Sequence, residues 1–217
     1  MSKTIETFSI RTSTHGRVLV RRADQRDPAV VLAGFHGYME NAAIQMARLA
    51  AVPGSDAWTL VSIQGLNRFY RGRSEEVVAG WMTREDREDA IADNIEYAEA
   101  ALQAAVTDAR CPIVCVGFSQ GVATAFRAGT RGAPHSVGIV AVGGDIPPEL
   151  LADPQVNFPR LLLLRGARDD WYTEAKLSSD VAALERRGVT PRVHIYDAAH
   201  EWTPDVAAQI AAFVADR

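Results

Sequence analysis

Short apolar runs that alternate with stretches of helical spacing constrain the fold of this chain most. The run over residues 29–35 is continuous and lacks the polar alternation of a half-exposed strand. Such a run is typical of a strand buried on both faces of a parallel sheet. The same reasoning predicts further strands, which cover residues 58–63, 113–116, 137–142, 161–164 and 193–196.

Apolar residues at helical spacing lie between these runs. The clearest helix is predicted over residues 83–108, where Thr83 and Asp86 resemble a capping box at its start. Further helices are predicted over 42–51 and 120–131, before Gly188 and at the carboxyl end. Two β-like runs, 7–10 and 17–22, predict a hairpin at the amino end. Strands and helices in this order indicate one α/β domain over residues 1–217, with a mostly parallel sheet covered by helices on both faces.

Charge and hydropathy exclude several classes of protein. A net charge of −4 argues against a dedicated nucleic-acid-binding protein, which normally carries a basic excess. No apolar run approaches the ~18 residues of a membrane span, and the first residues lack the apolar core of a signal peptide. We therefore expect a soluble, cytoplasmic protein, and no residue spacing implies a metal or a cofactor.

A serine lies between two glycines where the predicted strand 113–116 meets a helix, in the sequence Gly117-Phe118-Ser119-Gln120-Gly121. This G-x-S-x-G pattern is a nucleophile elbow when it joins a strand to a helix, because the sharp turn exposes the serine hydroxyl. The pattern alone also occurs in ordinary turns. Its position between strand and helix favours Ser119 as a catalytic nucleophile.

Two later loops offer an acid and a base for that serine. The loop after strand 161–164 contains Asp169 and Asp170, either of which could instead cap the next helix. Asp169 is favoured over Asp170, and Asp145 is a third candidate. His200 lies in the loop after the last strand, whereas His194 falls inside that strand. The order serine, acid, histidine is that of the α/β-hydrolases.

The loop after strand 29–35 is the expected source of an oxyanion donor. It reads Phe35-His36-Gly37-Tyr38-Met39-Glu40-Asn41. The backbone N–H groups of Tyr38 and Gln120 are predicted to hold the oxyanion of a tetrahedral intermediate. We expect His36 to support this loop through hydrogen bonds rather than to act as a second base.

These pieces together resemble the phospholipase/carboxylesterase family of the α/β-hydrolases, which includes acyl-protein thioesterases and small bacterial carboxylesterases. The resemblance covers residues 29–202 and rests on FHGYMEN, GFSQG, VGGDIP, RGARDDWY and AAHEW. It implies that Asp169 is the catalytic acid and His200 the catalytic histidine. Gly80-Trp81 resembles a Trp-Phe pair near the substrate pocket of that family. Two positions depart from its pattern, Val122 in place of a glycine and Met82-Thr83 after the tryptophan.

The expected substrate pocket is bordered by side chains from several of these segments: His36, Met39, Trp81, Arg71 and Trp171. The arginines of segment 64–80 could meet an anionic group of the substrate, or they could pair with Glu75 and Glu76. No inserted segment is available as a large lid. We expect a carboxylesterase for small to medium acyl esters. An acyl thioesterase or a lysophospholipase with the same triad is the alternative, and a non-catalytic ligand-binding protein is disfavoured.

Overall fold

The predicted apolar runs form the core of a seven-stranded sheet in the computed structural model of the protein, which describes residues 5–24, 29–108, 110–133 and 136–216. The strands are β1 (Val18–Arg21), β2 (Val31–Phe35), β3 (Thr59–Ile63), β4 (Asn67–Tyr70), β5 (Val77–Gly80), β6 (Ile113–Phe118), β7 (Ser136–Val142), β8 (Arg160–Gly166) and β9 (Arg192–Tyr196). In the large sheet the order is β1-β3-β2-β6-β7-β8-β9, whereas β4 and β5 form a separate pair. Among the described strands of the large sheet, only β1 is antiparallel to its neighbour.

Helices cover both faces of this sheet, as the sequence predicts. They are α1 (Ala42–Ala50), α2 (Arg87–Ala105), α3 (Gln120–Arg127), α4 (Pro148–Ala152), α5 (Glu174–Glu185) and α6 (Pro204–Ala215). Alternate side chains of β2 enter two separate apolar clusters: Ala33 packs with residues of α2, α3 and α5, whereas Leu32 packs with residues of α1 and α6. Burial on both faces therefore explains the continuous apolar run in this strand. None of the helices in the described residues is both long and apolar enough to cross a membrane.

The predicted strand over residues 7–10 does not form, and with it the predicted hairpin is wrong. β1 pairs with β3 instead. Phe8 and Ile10 are 77 % and 76 % exposed, so the apolar side chains of this run have no buried face to pack against. A strand preference depends on such packing more than on the backbone itself.

The long helix begins later than its sequence pattern predicts. α2 starts at Arg87 because Asp86 adopts a left-handed conformation, with φ of 45°, and its side chain caps no N–H group. The hydroxyl of Thr83 instead accepts a hydrogen bond from the N–H of Glu85, at 3.2 Å. A local turn therefore replaces the predicted capping box.

Segment 64–80 contains structure that the sequence analysis did not predict. β4 and β5 form an antiparallel hairpin, and Glu40 bridges to Ala79 of β5. This bridge attaches the hairpin to the loop that follows β2, and that loop borders the candidate site described next.

Candidate active site

Ser119 occupies the turn between β6 and α3, in a strained backbone conformation. Its φ is 51° and its ψ is −120°, a left-handed φ that few residues other than glycine adopt. The N–H of Ser119 donates to the carbonyl of Val142, at the end of β7, over 2.9 Å. The geometry is that of a nucleophile elbow, in which the hydroxyl is turned away from the sheet.

The elbow requires glycine at position 121. A Cβ atom there would lie 2.1 Å from the carbonyl oxygen of Phe35 and 2.5 Å from that of His36. Only a residue without a side chain lets the first turn of α3 approach the end of β2 so closely. This approach brings the loop after β2 next to Ser119.

His200 joins Ser119 to Asp169 through two short hydrogen bonds. Its Nε2 lies 2.8 Å from the hydroxyl oxygen of Ser119, and its Nδ1 lies 2.8 Å from Oδ2 of Asp169. A carboxylate only accepts hydrogen bonds, so Nδ1 carries the proton and Nε2 is left to accept from the hydroxyl. In this arrangement the imidazole can remove the proton of Ser119.

Asp169 is the acid that the structure places against His200. It is 2 % exposed, and its second oxygen accepts the N–H groups of Trp171 and Tyr172 at 2.8 and 2.9 Å. Asp170 is exposed, and Asp145 is also exposed and pairs with Lys176 at 3.2 Å. The two other candidates therefore do not contact the histidine.

A tight backbone turn makes room for this acid and base. Gly143, directly after β7, has a φ of 62°, and a Cβ there would lie 3.1 Å from the imidazole Cε1 of His200 and 3.2 Å from Oδ2 of Asp169. The sequence analysis did not single out this glycine. The VGGDIP segment that contains it is thus part of the site's backbone frame.

The ring of Phe118 lies beside the imidazole of His200, with 5.2 Å between the ring centroids. The guanidinium of Arg48 lies over the ring of Phe118, 4.3 Å from the ring centroid. It also pairs with both carboxylate oxygens of Glu40, at 2.6 and 2.7 Å. Glu40 also accepts the N–H of Gly37 at 2.8 Å. Arg48 and Glu40 therefore connect the loop after β2 to the support of His200, a role with no sequence signature.

The backbone N–H groups of Gln120 and Tyr38 are the predicted oxyanion donors. Gln120 is the first residue of α3, where an N–H has no partner within the helix. Within the described chain, neither this N–H nor that of Tyr38 is committed to another hydrogen bond. A Cβ on Gly80 would lie 3.1 Å from the ring of Tyr38 and 3.5 Å from the amide oxygen of Gln120, so the two residues are neighbours.

The side chain of Gln120 fastens the end of β5 to the elbow. Its Oε1 accepts the N–H of Trp81 at 2.9 Å, and its Nε2 donates to the carbonyl of Met82 at 2.9 Å. The sequence analysis assigned a role to the backbone of Gln120 but none to its side chain. That side chain fixes the segment in which the sequence departs from the family pattern.

His36 lies behind the loop after β2 and is fully buried. Its Nδ1 donates to the carbonyl of Gly37 at 2.7 Å, and its Nε2 accepts the N–H of Gly65 at 2.9 Å. Burial lowers the pKa of His36, because the imidazolium form would lose its hydration. The ring is therefore neutral and holds the loop from behind.

Trp81 and His36 are not at the wall of the pocket, where the sequence analysis placed them. Trp81 is buried against His36, and its indole N–H donates to the carbonyl of His36 at 2.8 Å. Both side chains are held inward because their polar atoms bond to the backbone of the loop and its neighbours.

Arg71 and Met39 lie on the outer side of the same loop. Arg71 donates to the carbonyl of Met39 at 2.8 Å and pairs with Glu76 at 3.1 Å. Arg71 thus follows the alternative in which the arginines of segment 64–80 pair with neighbouring glutamates. Neither residue lines the cavity at Ser119.

A cavity of about 210 Å³ opens beside Ser119. Trp171, which the sequence analysis placed at the pocket, lines it and is 75 % exposed. Further lining residues include Ser119, Gln120, Asp145, Lys176 and His200. In the described part of the chain, no group of three or more His, Cys, Asp or Glu side chains is arranged to hold a metal ion.

Comparison with solved structures supports the architecture. Similar structures include esterase PE8 (22% sequence identity, TM-score 0.71, covering 94% of this chain and 99% of that one). The Bacillus cereus carboxylesterase is similar at 16% identity and a TM-score of 0.68, covering 93% of this chain and 94% of that one. Zea mays acyl-protein thioesterase 2 is similar at 17% identity and a TM-score of 0.71, covering 93% and 99%.

The chain has the α/β-hydrolase fold. The predicted fold class is thereby confirmed, and the described residues include no large lid domain. A scan against protein-family models found no matching model, and a search of curated proteins found no match. At these identities the α/β-hydrolase likeness establishes the architecture, and the chemistry has to be argued from the site.

Neutral His36 makes stability depend on pH. Its folded pKa is lowered, so it contributes fully above its unfolded pKa of about 6.5, and the contribution is lost as pH falls below that value, by up to about 1.4 kcal/mol per pH unit. As pH falls from about 7.5 to about 5.5, the free energy of unfolding measured with urea should decrease less for His36→Gln than for the wild type. The control, His15→Gln, changes an exposed histidine and should keep the wild-type slope. Equal slopes for His36→Gln and the wild type would contradict a neutral His36.

Proposed function

We propose that this protein is a serine hydrolase that cleaves carboxylic esters, of the phospholipase/carboxylesterase type. The observation that carries the proposal is the continuous chain of hydrogen bonds from Ser119 through His200 to Asp169, each of 2.8 Å, at a strained elbow. Nucleophile, base and acid in this geometry are the requirements of acyl transfer. The esterases and the thioesterase among the similar structures support it.

In the proposed mechanism, His200 first acts as a general base. Its Nε2 takes the proton of Ser119 while the serine oxygen attacks the ester carbonyl carbon. The tetrahedral intermediate collapses when His200 gives that proton to the leaving alcohol, and the acyl group remains on Ser119. Water then attacks the acyl-enzyme, with His200 again as the base, and releases the acid and the free serine.

Asp169 holds the histidine in the reactive tautomer throughout. Its buried carboxylate accepts a hydrogen bond from Nδ1–H at 2.8 Å and stabilises the imidazolium that forms in each half-reaction. The two backbone N–H groups on its other oxygen keep the carboxylate in place. Asp169 therefore acts through His200 and does not contact the ester.

The N–H groups of Gln120 and Tyr38 are the proposed oxyanion donors. Both are uncommitted within the described chain, and the donor at Gln120 lies at the amino end of α3, where the helix dipole favours negative charge. A single preorganised donor of this kind contributes about 2.7–4 kcal/mol to the transition state. Behind them, His36 and Glu40 hold the loop that carries Tyr38.

The cavity beside Ser119 favours a short acyl group. Its volume of about 210 Å³ lies below the ~300–1,000 Å³ that is typical of small-molecule pockets. A long fatty acyl chain would leave most of its length outside this space. Small soluble esters are therefore the proposed substrates.

The expected cytoplasmic location of the protein stays a prediction.

Thioester cleavage is the second candidate, because the same triad and oxyanion donors serve a thioester carbonyl. The structural similarity to the Zea mays acyl-protein thioesterase 2 supports this candidate. The small cavity disfavours a lysophospholipid with a long chain. A non-catalytic binding protein is opposed by the complete set of hydrogen-bonded catalytic groups.

Removal of the Ser119 hydroxyl should abolish the activity. Ser119→Ala is expected to lower kcat/KM for p-nitrophenyl acetate by about 10⁴-fold or more, because no nucleophile remains. A fluorophosphonate should label the wild type and not the variant, while circular dichroism should show an unchanged fold. Hydrolysis near the wild-type rate in a folded Ser119→Ala protein would refute the proposed function.

A matched pair of substitutions identifies the acid. Asp169→Asn should lower kcat by about 10⁴-fold, because asparagine cannot accept the Nδ1 proton in the same way and favours the wrong tautomer. Asp170→Asn removes the same charge one residue away and should change kcat by less than about twofold. A larger loss from Asp170→Asn than from Asp169→Asn would assign the acid to Asp170.

The size of the cavity predicts a preference for short chains. In a series of p-nitrophenyl esters kept below their micelle concentrations, kcat/KM should be greatest at or below about six carbons and at least about tenfold lower for the dodecanoate. A kcat/KM that keeps rising to the dodecanoate would show that the acyl chain binds outside this cavity.

A further inference from the structure

Lys176 reaches the same cavity as Ser119. The sequence contains only two lysines, Lys3 and Lys176, among 23 basic residues, and Lys176 is the one that lies in the described part of the chain. Apart from His200, it is the only basic side chain among the described residues that line the cavity. An ammonium group beside the nucleophile bears on which esters can bind.

The position of Lys176 is not explained by the stability of its helix. It is the third residue of α5, whose cap is Thr173. A positive side chain in the first turn opposes the helix dipole and is unfavourable there. The same dipole adds to the positive potential that an anion in the cavity would meet.

Two contacts hold the ammonium group at the cavity and leave it one donor. Its Nζ donates to the carbonyl of Trp171 at 2.8 Å and to Oδ2 of Asp145 at 3.2 Å. An ammonium group has three N–H donors, and no other described residue accepts the third. The group therefore bridges two sides of the cavity and can donate one further hydrogen bond into it.

The pairing with Asp145 is weak enough for a ligand to share the ammonium. The two side chains are 49 % and 57 % exposed, and ion pairs as exposed as this contribute little to stability. An anionic ligand needs only to take the third donor. The ammonium is also held at the cavity by the carbonyl of Trp171, whereas Lys176 is the only described residue that fixes the carboxylate of Asp145, so the anion has the better-fixed partner.

The acyl part of the substrate is the part that this cavity suits. The acyl group stays bound to Ser119 through half of the proposed cycle, whereas the alcohol must leave. A short chain that starts at Ser119 and extends across about 210 Å³ would bring its end towards Lys176, since both residues line that space.

We propose that Lys176 selects short acyl esters that carry a carboxylate at the far end of the acyl chain. The inference rests on the proposed ester hydrolysis at Ser119 and names its substrate class. A monoester of a dicarboxylic acid would place its ester carbonyl at Ser119 and its free carboxylate against the ammonium of Lys176, in a charge-assisted hydrogen bond.

Two p-nitrophenyl esters of equal chain length test this selection. The monoester of adipic acid carries a terminal carboxylate, and the hexanoate lacks it. In the wild type the ratio of kcat/KM, adipate monoester over hexanoate, should exceed about 10 and should fall as salt is raised. Lys176→Met should reduce the ratio by about tenfold or more, and Asp145→Asn should raise it, because the ammonium loses its competing carboxylate.

The control is Arg186→Met, which removes an exposed positive charge at the other end of α5 and should keep the wild-type ratio. A merely structural role of Lys176 would lower both rates together and leave the ratio unchanged, which would overturn the proposal. A wild-type ratio below one, or a faster ester with a terminal trimethylammonium group, would overturn it as well. If the Ser119→Ala protein still cleaves both esters, the proposed function fails and the inference with it. If hexanoate hydrolysis depends on Ser119 but the ratio is the same in Lys176→Met as in the wild type, the inference alone is refuted.

Discussion

The candidate site depends on the parallel pairing of β2, β6, β7, β8 and β9. Parallel strands end at one edge of a sheet, so the loops after β2, β6, β7, β8 and β9 meet there although they are far apart in the chain. The short hydrogen bonds of His200 exist because β6, β7, β8 and β9 follow one another in the sheet, each pairing with the next. Without that pairing, Ser119, Asp169 and His200 would have no common location.

Backbone contacts fix the geometry of this edge more closely. Gly121 allows α3 to start against the carbonyls of Phe35 and His36, and Gly143 lets its backbone pass the imidazole and the acid. Polar side chains then fix the loops: half-buried Gln120 holds residues 81 and 82, and buried His36 joins Gly37 to Gly65. Preorganisation of this kind places donors where charge develops, before any substrate arrives.

Much of the fold and the positions that meet at the site follow from the sequence, since buried strands and amphipathic helices carry strong periodic signals. Several of the detailed expectations did not hold, and each depended on tertiary contacts. Residues 7–10 have a strand-like pattern but no surface to pack on. Thr83 bonds locally instead of capping α2. The side chains of His36 and Trp81, expected at the pocket, turn inward to bond backbone groups that no local pattern identifies.

The sequence by itself determined the α/β class and the chain order of serine, acid and histidine. The class follows from hydrophobic periodicity, and the order follows from the residues in the loops after the predicted strands. Only the tertiary structure decided between Asp169 and its neighbours as the residue against His200, since Asp170 differs from it by direction and burial rather than by residue type. It likewise brought Lys176 and Asp145 to the cavity of Ser119 from separate parts of the chain. Contacts between distant segments arise from strand order and helix packing, which local sequence does not specify.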